Sequence, residues 1–420
     1  MEEKIKIENF GGLKNLEFEV KRINVLIGPQ ASGKSICVKL LYFFKSFSSE
    51  MMHSFESEEN KRQLDSKQKE RFVNYFPRES WPKTAFRIRY EINGNFIIIE
   101  RKQGKALNFI YSDEYKKLIK KGRKFYNDER KKLDEEPRKS FYKANRNART
   151  KFYECAKGLI SENSVYNQFF VPAGRSFYAN IQSGIFSFLS TNKSLDPFLI
   201  EFGSFYENFK RMSMDRNHSA RSKKDMKAFD DLLSSVLSGS YLREKDKDFI
   251  IHNDSRKVNL SNASSGQQET LPLAIVLEVL SNATFFSSGG ATLYIEEPEA
   301  HLFPTAQMKV VQLLARTFNN QSSQFQVIVT THSPYILSSF NNLIEAGKII
   351  ESKPDKVSEV YDIIPKEEIL SPNDIVAYSI DKGKKVLLLD EDTRLISQTI
   401  LDSVSDEIAI NFGKLLDIEF

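Results

Sequence analysis

The chain has 420 residues, 40% of them apolar, 61 Lys/Arg against 56 Asp/Glu, and two cysteines. That length exceeds one typical domain, so two lobes around a large core are expected. Met1-Glu2-Glu3-Lys4 does not open a signal peptide, Glu278 breaks the richest apolar stretch near 271–280, and Cys37 and Cys155 lack metal-ligand spacing. The expectation is a cytoplasmic protein with no spanning helix.

The net charge of +5 is unevenly spread, since residues 115–157 hold 16 Lys/Arg against 6 Asp/Glu, or +10, leaving −5 elsewhere. The first residues, Lys4 to Phe10, alternate with period two; Gly11-Gly12 turn the chain, and Leu16 to Val20 alternate again. Two strands therefore precede a third, Arg22 to Ile27. That strand runs into Gly28-Pro29-Gln30-Ala31-Ser32-Gly33-Lys34-Ser35, which satisfies G-x-x-x-x-G-K-[ST] at every fixed position. In such a loop the glycines let backbone N–H groups turn toward phosphate oxygens, the lysine brings a charge to the β/γ end, and the serine hydroxyl serves Mg²⁺. An apolar-periodic helix over 36–47 completes the strand–loop–helix context.

Residues 48–71 read as a solvated helix or loop. A hairpin follows, from Thr84 to Glu100 around Asn93-Gly94. The basic 115–157 stretch reads as helical, interrupted at Pro137, with Phe125-Tyr126, Phe141-Tyr142 and Phe152-Tyr153 interleaved among its charges. Those aromatics either face a nucleic acid or pack inward while the charges stay solvated. Gln168 to Val171 is a short strand leading to Pro172-Ala173-Gly174-Arg175, and 177–241 reads as helical.

Beyond two further short strands, Ser264-Ser265-Gly266-Gln267 opens an apolar helix, either as an anion-binding start or as a plain cap. Ala291 to Ile295 is a strand ending in Glu296-Glu297, a pair that divides into a Mg²⁺ ligand and a base for water, or else is a solvated acidic loop. Gln326 to Thr331 delivers His332 ahead of Ser333-Pro334.

Taken in order, the P-loop, Ser-Gly-Gln-Gln, Glu-Glu-Pro-Glu-Ala-His-Leu and Thr-Thr-His-Ser-Pro motifs resemble the ABC-type ATPase heads of the SMC, RecF and OLD lineage, including AAA-family ATPases of two-component antiphage systems such as PARIS or Septu. The resemblance implies an α/β fold with a mixed sheet, interrupted by a largely helical insertion lobe. The expected division is head over 1–47, insertion over 48–245 rejoining the head near 168–175, and head again over 246–420. It further implies ATP and Mg²⁺ as cofactors, with Gly28 to Ser35 holding the nucleotide, Ser35 and Glu296 the metal, Glu297 as catalytic carboxylate and His332 as switch histidine. Glu299 to Leu302 take the D-loop position, and Ser264, Ser265, Gly266 and Gln267 contact nucleotide held by the opposite subunit. A homodimer or a multiple of dimers follows from that sharing.

Three departures accompany the resemblance. Glu296 replaces the usual aspartate, Ser265 replaces a signature glycine, and no Q-loop glutamine is evident, leaving Arg175 or Gln168 as substitutes. Phe10 or another aromatic is a candidate to stack adenine. The functions implied are a defence ATPase that controls a separate effector, a RecF-like repair ATPase, or a transporter motor. The 115–157 segment would meet DNA or a phage protein. Asp390-Glu391-Asp392 imitates part of a toprim site, but lacks its upstream Glu-Gly partner and reads as a solvated turn.

Overall fold

The computed structural model describes residues 2–132, 137–179, 195–214, 223–281, 289–320, 324–397 and 408–416, with backbone alone at 137–140 and 223. In chain order the first strands are β1 (Glu3–Phe10), β2 (Leu13–Glu19) and β3 (Ile23–Ile27), followed by helices α1 (Lys34–Lys45), α2 (Phe47–Glu56) and α3 (Lys61–Tyr75). Strands β4 (Phe86–Ile92), β5 (Asn95–Arg101) and β6 (Asn108–Tyr111) precede α4 (Asp113–Arg130), α5 (Pro137–Leu159) and β7 (Asn167–Val171). Then come α6 (Pro197–Met214), α7 (Lys223–Leu237), β8 (Ser240–Glu244), β9 (Lys247–Ile251), β10 (Lys257–Asn259) and α8 (Ser265–Ser281). The last are β11 (Ala291–Glu296), α9 (Pro304–Asn320), β12 (Phe325–Thr331), α10 (Pro334–Ser352), α11 (Val357–Ile363), β13 (Ile375–Asp381) and β14 (Lys384–Leu387).

The central sheet has the order β14-β13-β3-β12-β11-β7; all neighbours run parallel except β13 and β14. Its inner strands are buried at every position of β3, β11 and β12, as a parallel sheet covered on both faces requires. The period-two pleat divides these residues between two cores. Leu26, Tyr294 and Ile328 join one, with α1 and the first two strands; Val25, Leu293, Val327 and Val329 join the other, with α8, α9 and α10. A second sheet, β2-β1-β4-β5-β6, is antiparallel throughout, and a third, β10-β9-β8, is a small antiparallel flap.

Several elements differ from expectation. The 84–100 hairpin, read as part of the insertion, pairs with the N-terminal strand through Ile5↔Tyr90 and Ile7↔Ile88, extending the sheet that β1 and β2 begin. The start of the polar 48–71 stretch belongs to α2, which buries Met51, Met52 and Phe55; the charges around these residues hid that apolar face in the sequence. The helical reading of 177–241 fails at its end, where Tyr241 lies on β8; parts of that span, 180–194 and 215–222, fall outside the described residues. Asp390 does sit in a turn, accepting from the Thr393 N–H and hydroxyl at 2.7 and 2.8 Å. Among the described residues no helix is long and apolar enough to cross a membrane.

Candidate nucleotide site

Four parallel strands end side by side, with Ile27 of β3 opposite Thr331 of β12, Thr330 opposite Glu296 of β11, and Ile295 opposite Val171 of β7. The P-loop, His332, the Glu296-Glu297 pair and Pro172 to Arg175 therefore leave the sheet along one carboxyl edge, where open α/β sheets take their ligands. Residues nearly 300 positions apart in the chain thus share one site.

The loop from Gly28 is shaped by left-handed backbone at Ala31 (φ 58°) and Gly33 (φ 101°), which aims consecutive N–H groups inward. Gly28 faces β13 so closely that an added Cβ would stand 2.0 Å from the Ile380 carbonyl oxygen, so the position admits no side chain. Lys34 Nζ donates to the carbonyls of Gly28 and Pro29, both at 2.8 Å, and reaches Ser32 Oγ at 3.4 Å. Burial pushes its pKa down, and the nearby Glu297 and Glu299 carboxylates oppose that shift. The ammonium lies across the loop, on its backbone carbonyls.

Glu296 is buried, with Oε2 accepting from the Ala173 N–H at 3.3 Å and Oε1 shut off without a partner. A buried carboxylate oxygen lacking any donor is costly, and a cation would satisfy it. With the exposed hydroxyl of Ser35 it forms the small oxygen donor set that suits Mg²⁺, an ion that keeps several waters and takes phosphate oxygens besides protein ligands. Among the described residues no group of three or more His, Cys, Asp or Glu could hold a metal by itself, so phosphate oxygens would have to complete the shell. The residues present therefore fit a magnesium nucleotide.

Glu297 takes a left-handed backbone conformation (φ 47°), and its N–H donates to Thr330 O at 2.9 Å. That turn projects the carboxylate off the strand end, where Oε1 lies 3.5 Å from His332 Nε2, both side chains being part-exposed. Glu299 fixes the histidine from below, its Oε1 accepting from the His332 backbone N–H at 2.6 Å. Glu299 was read only as a D-loop residue, and no sequence signal marks this contact. The starts of α9 and α10 are tied by Ser333 Oγ donating to Gln307 Oε1 at 2.5 Å, and exposed Phe303 and Tyr335 project from them.

Ser264 and Gln267 form a reciprocal cap. Gln267 Oε1 accepts from the Ser264 N–H and hydroxyl, both at 3.1 Å, and Gln267 Nε2 donates to Leu237 O at 2.7 Å. Ser264 and Ser265 remain exposed, while Gly266 lies against the D-loop of its own chain, where an added Cβ would come 2.8 Å from His301 O. The cap and the exposed helix start are thus the same structure.

Two substitutes proposed from sequence do not reach the site. Gln168 pairs with Thr292, three residues or about 10 Å before the end of β7, and accepts from the Tyr294 hydroxyl at 2.7 Å. Arg175 is fully buried and points into the protein rather than toward a phosphate. Its guanidinium donates to the carbonyls of Glu269 (2.7 Å), Pro172 (3.2 Å), Glu296 (2.8 Å) and Glu297 (3.1 Å), stitching the signature helix to the Glu296-Glu297 turn. Phe10 is also unavailable to adenine; it is buried against Phe72, Phe76 and Phe86 at centroid distances of 4.8 to 5.6 Å.

The retron Ec83 probable ATPase of Escherichia coli is 28% identical over 129 residues, which is 28% of this chain and 23% of that protein. The chain therefore matches only about a quarter of that relative's length. Among solved structures, the SMC head domain from Thermotoga maritima covers 92% of this chain and 97% of its own at 12% identity and a TM-score of 0.36. RecF bound to ATPγS covers 92% and 98%, with 12% identity and a TM-score of 0.35. At these scores the sheet order described above carries the fold by itself. A family model described as "AAA domain, putative AbiEii toxin, Type IV TA system" matches residues 23–338, from the P-loop strand to just beyond the histidine, and the chain belongs to that family of ATPases.

Proposed function

We propose that this chain hydrolyses ATP to ADP and phosphate with Mg²⁺, and that it does so as a homodimer or a multiple of dimers. The observation that supports hydrolysis is the Glu297–His332 pair at 3.5 Å, at the ends of the neighbouring strands β11 and β12, the second of which adjoins the P-loop strand. Lys34 gives up the Gly28 and Pro29 carbonyls and takes β- and γ-phosphate oxygens. The Ser35 hydroxyl and the unpartnered Glu296 Oε1 would hold Mg²⁺ or its water, and the ion would supply charge neutralisation. Glu297 orients water and accepts its proton as the water oxygen bonds to γ-phosphorus and the bond to the bridging oxygen breaks. His332, held through its backbone by Glu299, contacts the γ-phosphate. Phosphoryl transfer asks for positioning and charge rather than covalent help, which is what these groups offer.

The two-chain reading is supported by the signature residues, whose exposed serines stand on a helix start able to cap a γ-phosphate presented by another copy. Exposed Phe303 and Tyr335 suit the same contact. The name of the retron relative and the toxin description of the family support a role in antiviral defence, with a separate effector under control of the ATPase and the 115–157 segment meeting the trigger.

Glu297→Gln should keep ATP binding and lower kcat by at least about 100-fold, the usual contribution of a positioned general base. Parental turnover in that variant removes Glu297 from its role. Mixing inactive Lys34→Ala with inactive Ser264→Arg chains should regenerate one working site per heterodimer, and heterodimers without activity would exclude the shared arrangement.

A further inference from the structure

A groove of about 470 Å³ runs along α4 on the side facing the start of α3, and none of its described lining residues belongs to the strand-end site. Its walls carry Lys61, Lys116, Lys120, Lys124 and Lys131, with Arg123 among them; Asp128 is the single acid among the described lining residues. Lys116 is neutralised by Asp113 at 2.9 Å, whereas Lys61, Lys120, Lys124 and Lys131 have no ion pair among the described residues. Positions 116, 120, 124 and 131 recur at nearly whole turns of the helix, so the row of charge extends over about 22 Å at 1.5 Å per residue.

Arg123 is the unusual member. Its guanidinium lies 5.9 Å over the Phe55 ring, and its Nε and Nη2 are shut off from solvent without any acceptor. Buried donors left unpaired are costly, and burial also pushes the guanidinium pKa down, with Asp65 opposing. Swinging into the groove would give it acceptors if an anion lay there.

The geometry points to this groove as a binding surface for the phosphate backbone of a double-stranded nucleic acid, which we propose as a second ligand of the protein. A row of lysines, of which Lys120, Lys124 and Lys131 have no ion pair among the described residues, fits a ligand of uniform and linear charge. An acidic protein would instead need apolar anchors at the centre of the contact, and Ile119 is the only apolar residue among the described lining residues. Stacking on unpaired bases has no platform in the groove, since no aromatic side chain is among its described lining residues. Contact is therefore with phosphates and is independent of sequence. The proposal deepens the reading of 115–157 as a recognition segment and does not rest on the identity of the effector or on hydrolysis.

The test measures binding of a fluorescent 20-base-pair duplex to the full chain by anisotropy over a range of NaCl concentrations, without nucleotide. Four or five phosphate contacts predict a slope of log K against log salt between about −3 and −5. The Lys120→Glu/Lys124→Glu pair should lower affinity at 100 mM salt by at least about tenfold and make the slope shallower by about 2. Both side chains are exposed, so helical content and basal ATPase activity should be unchanged, and Lys353→Glu should leave binding unaltered. Arg123→Gln should weaken binding at every salt concentration. Absent or salt-independent binding, equal binding by the double variant, or equal affinity for poly-glutamate of matched charge would each overturn the proposal. Loss of hydrolysis in Glu297→Gln with duplex binding intact separates this surface from the ATPase site.

Discussion

The strand-end site and the α4–α5 hairpin both concentrate charge, but they hold it differently. At the strand ends the ionic groups are held chiefly through backbone: Glu299 grips the His332 N–H, Ala173 grips Glu296, and Arg175 gathers four carbonyls. In the hairpin much of the charge is spent on structure. Lys132 and Lys151 both reach Glu129, Arg149 reaches Glu56, and Arg130 reaches Glu58 at 2.7 Å. A net charge of +10 therefore overstates what that segment offers a ligand, and what remains lies mainly on one face of α4.

Replacing Gly28 by alanine should separate the two regions most sharply. Its Cβ would stand 2.0 Å from the Ile380 backbone oxygen, which belongs to a hydrogen-bonded strand and has little room to retreat. The loop must shift, and ATP affinity should fall by at least about 100-fold, or roughly 3 kcal/mol, in isothermal titration. Duplex binding at α4 should be unchanged. Equal loss of both activities would mean that loop and groove are not independent.

Arg175→Ala should produce the next largest effect. It leaves the carbonyls of Glu269, Pro172, Glu296 and Glu297 without their common donor in a buried place, together with the Glu269 carboxylate 3.7 Å away. Loss of a buried charged partner costs about 3–5 kcal/mol, read as a lower midpoint in urea. Arg175→Lys should rescue little, because one ammonium cannot span four carbonyls. If Arg175→Ala unfolds at the parental midpoint, the guanidinium does not join the signature helix to the Glu296-Glu297 turn.

The strand-end site was legible because its residues follow local rules. A P-loop is eight consecutive residues, Glu296-Glu297 and His332 each terminate an apolar run, and parallel pairing then brings those termini together. What the sequence concealed was every contact between distant segments. Arg175 looks like any basic residue after a Pro-Ala-Gly turn, and nothing marks it as fully buried. Gln168 carries the side chain expected of a nucleotide-contacting loop, yet sits three residues too early on its strand. Phe10 offers an aromatic beside the P-loop, but belongs to a cluster with Phe72, Phe76 and Phe86 that only the folded chain assembles. The hairpin misled in the opposite sense. Charge counting could not tell Lys124, which lines the groove, from Lys132, which turns to Glu129. The paired aromatics split, with Tyr126 and Phe152 buried while Phe141 and Tyr142 remain exposed.

The smallest effect sharpens the other half of the comparison, that hairpin charge is structural. Glu129 is buried on α4, and hydrogen bonds from Lys132 (2.8 Å), from Lys151 and from Asn147 (3.3 Å) hold its pKa down to about 2. A carboxylate whose folded pKa lies below its unfolded value near 4.5 contributes stability at higher pH. That contribution is fully present above about pH 5 and fades as pH falls through 4.5 toward 2. Both lysines are half-exposed, so solvent screening limits the contribution to about 1 kcal/mol. Glu129→Gln should lower the melting temperature at pH 7 by a degree or two and flatten the acid limb of stability against pH between 5 and 3. It should also free Lys132 and Lys151, steepening the salt dependence of duplex binding. A variant with the parental acid limb would show that Glu129 is not the group that ties α5 to α4, and that the hairpin charges are as free as the raw count suggests.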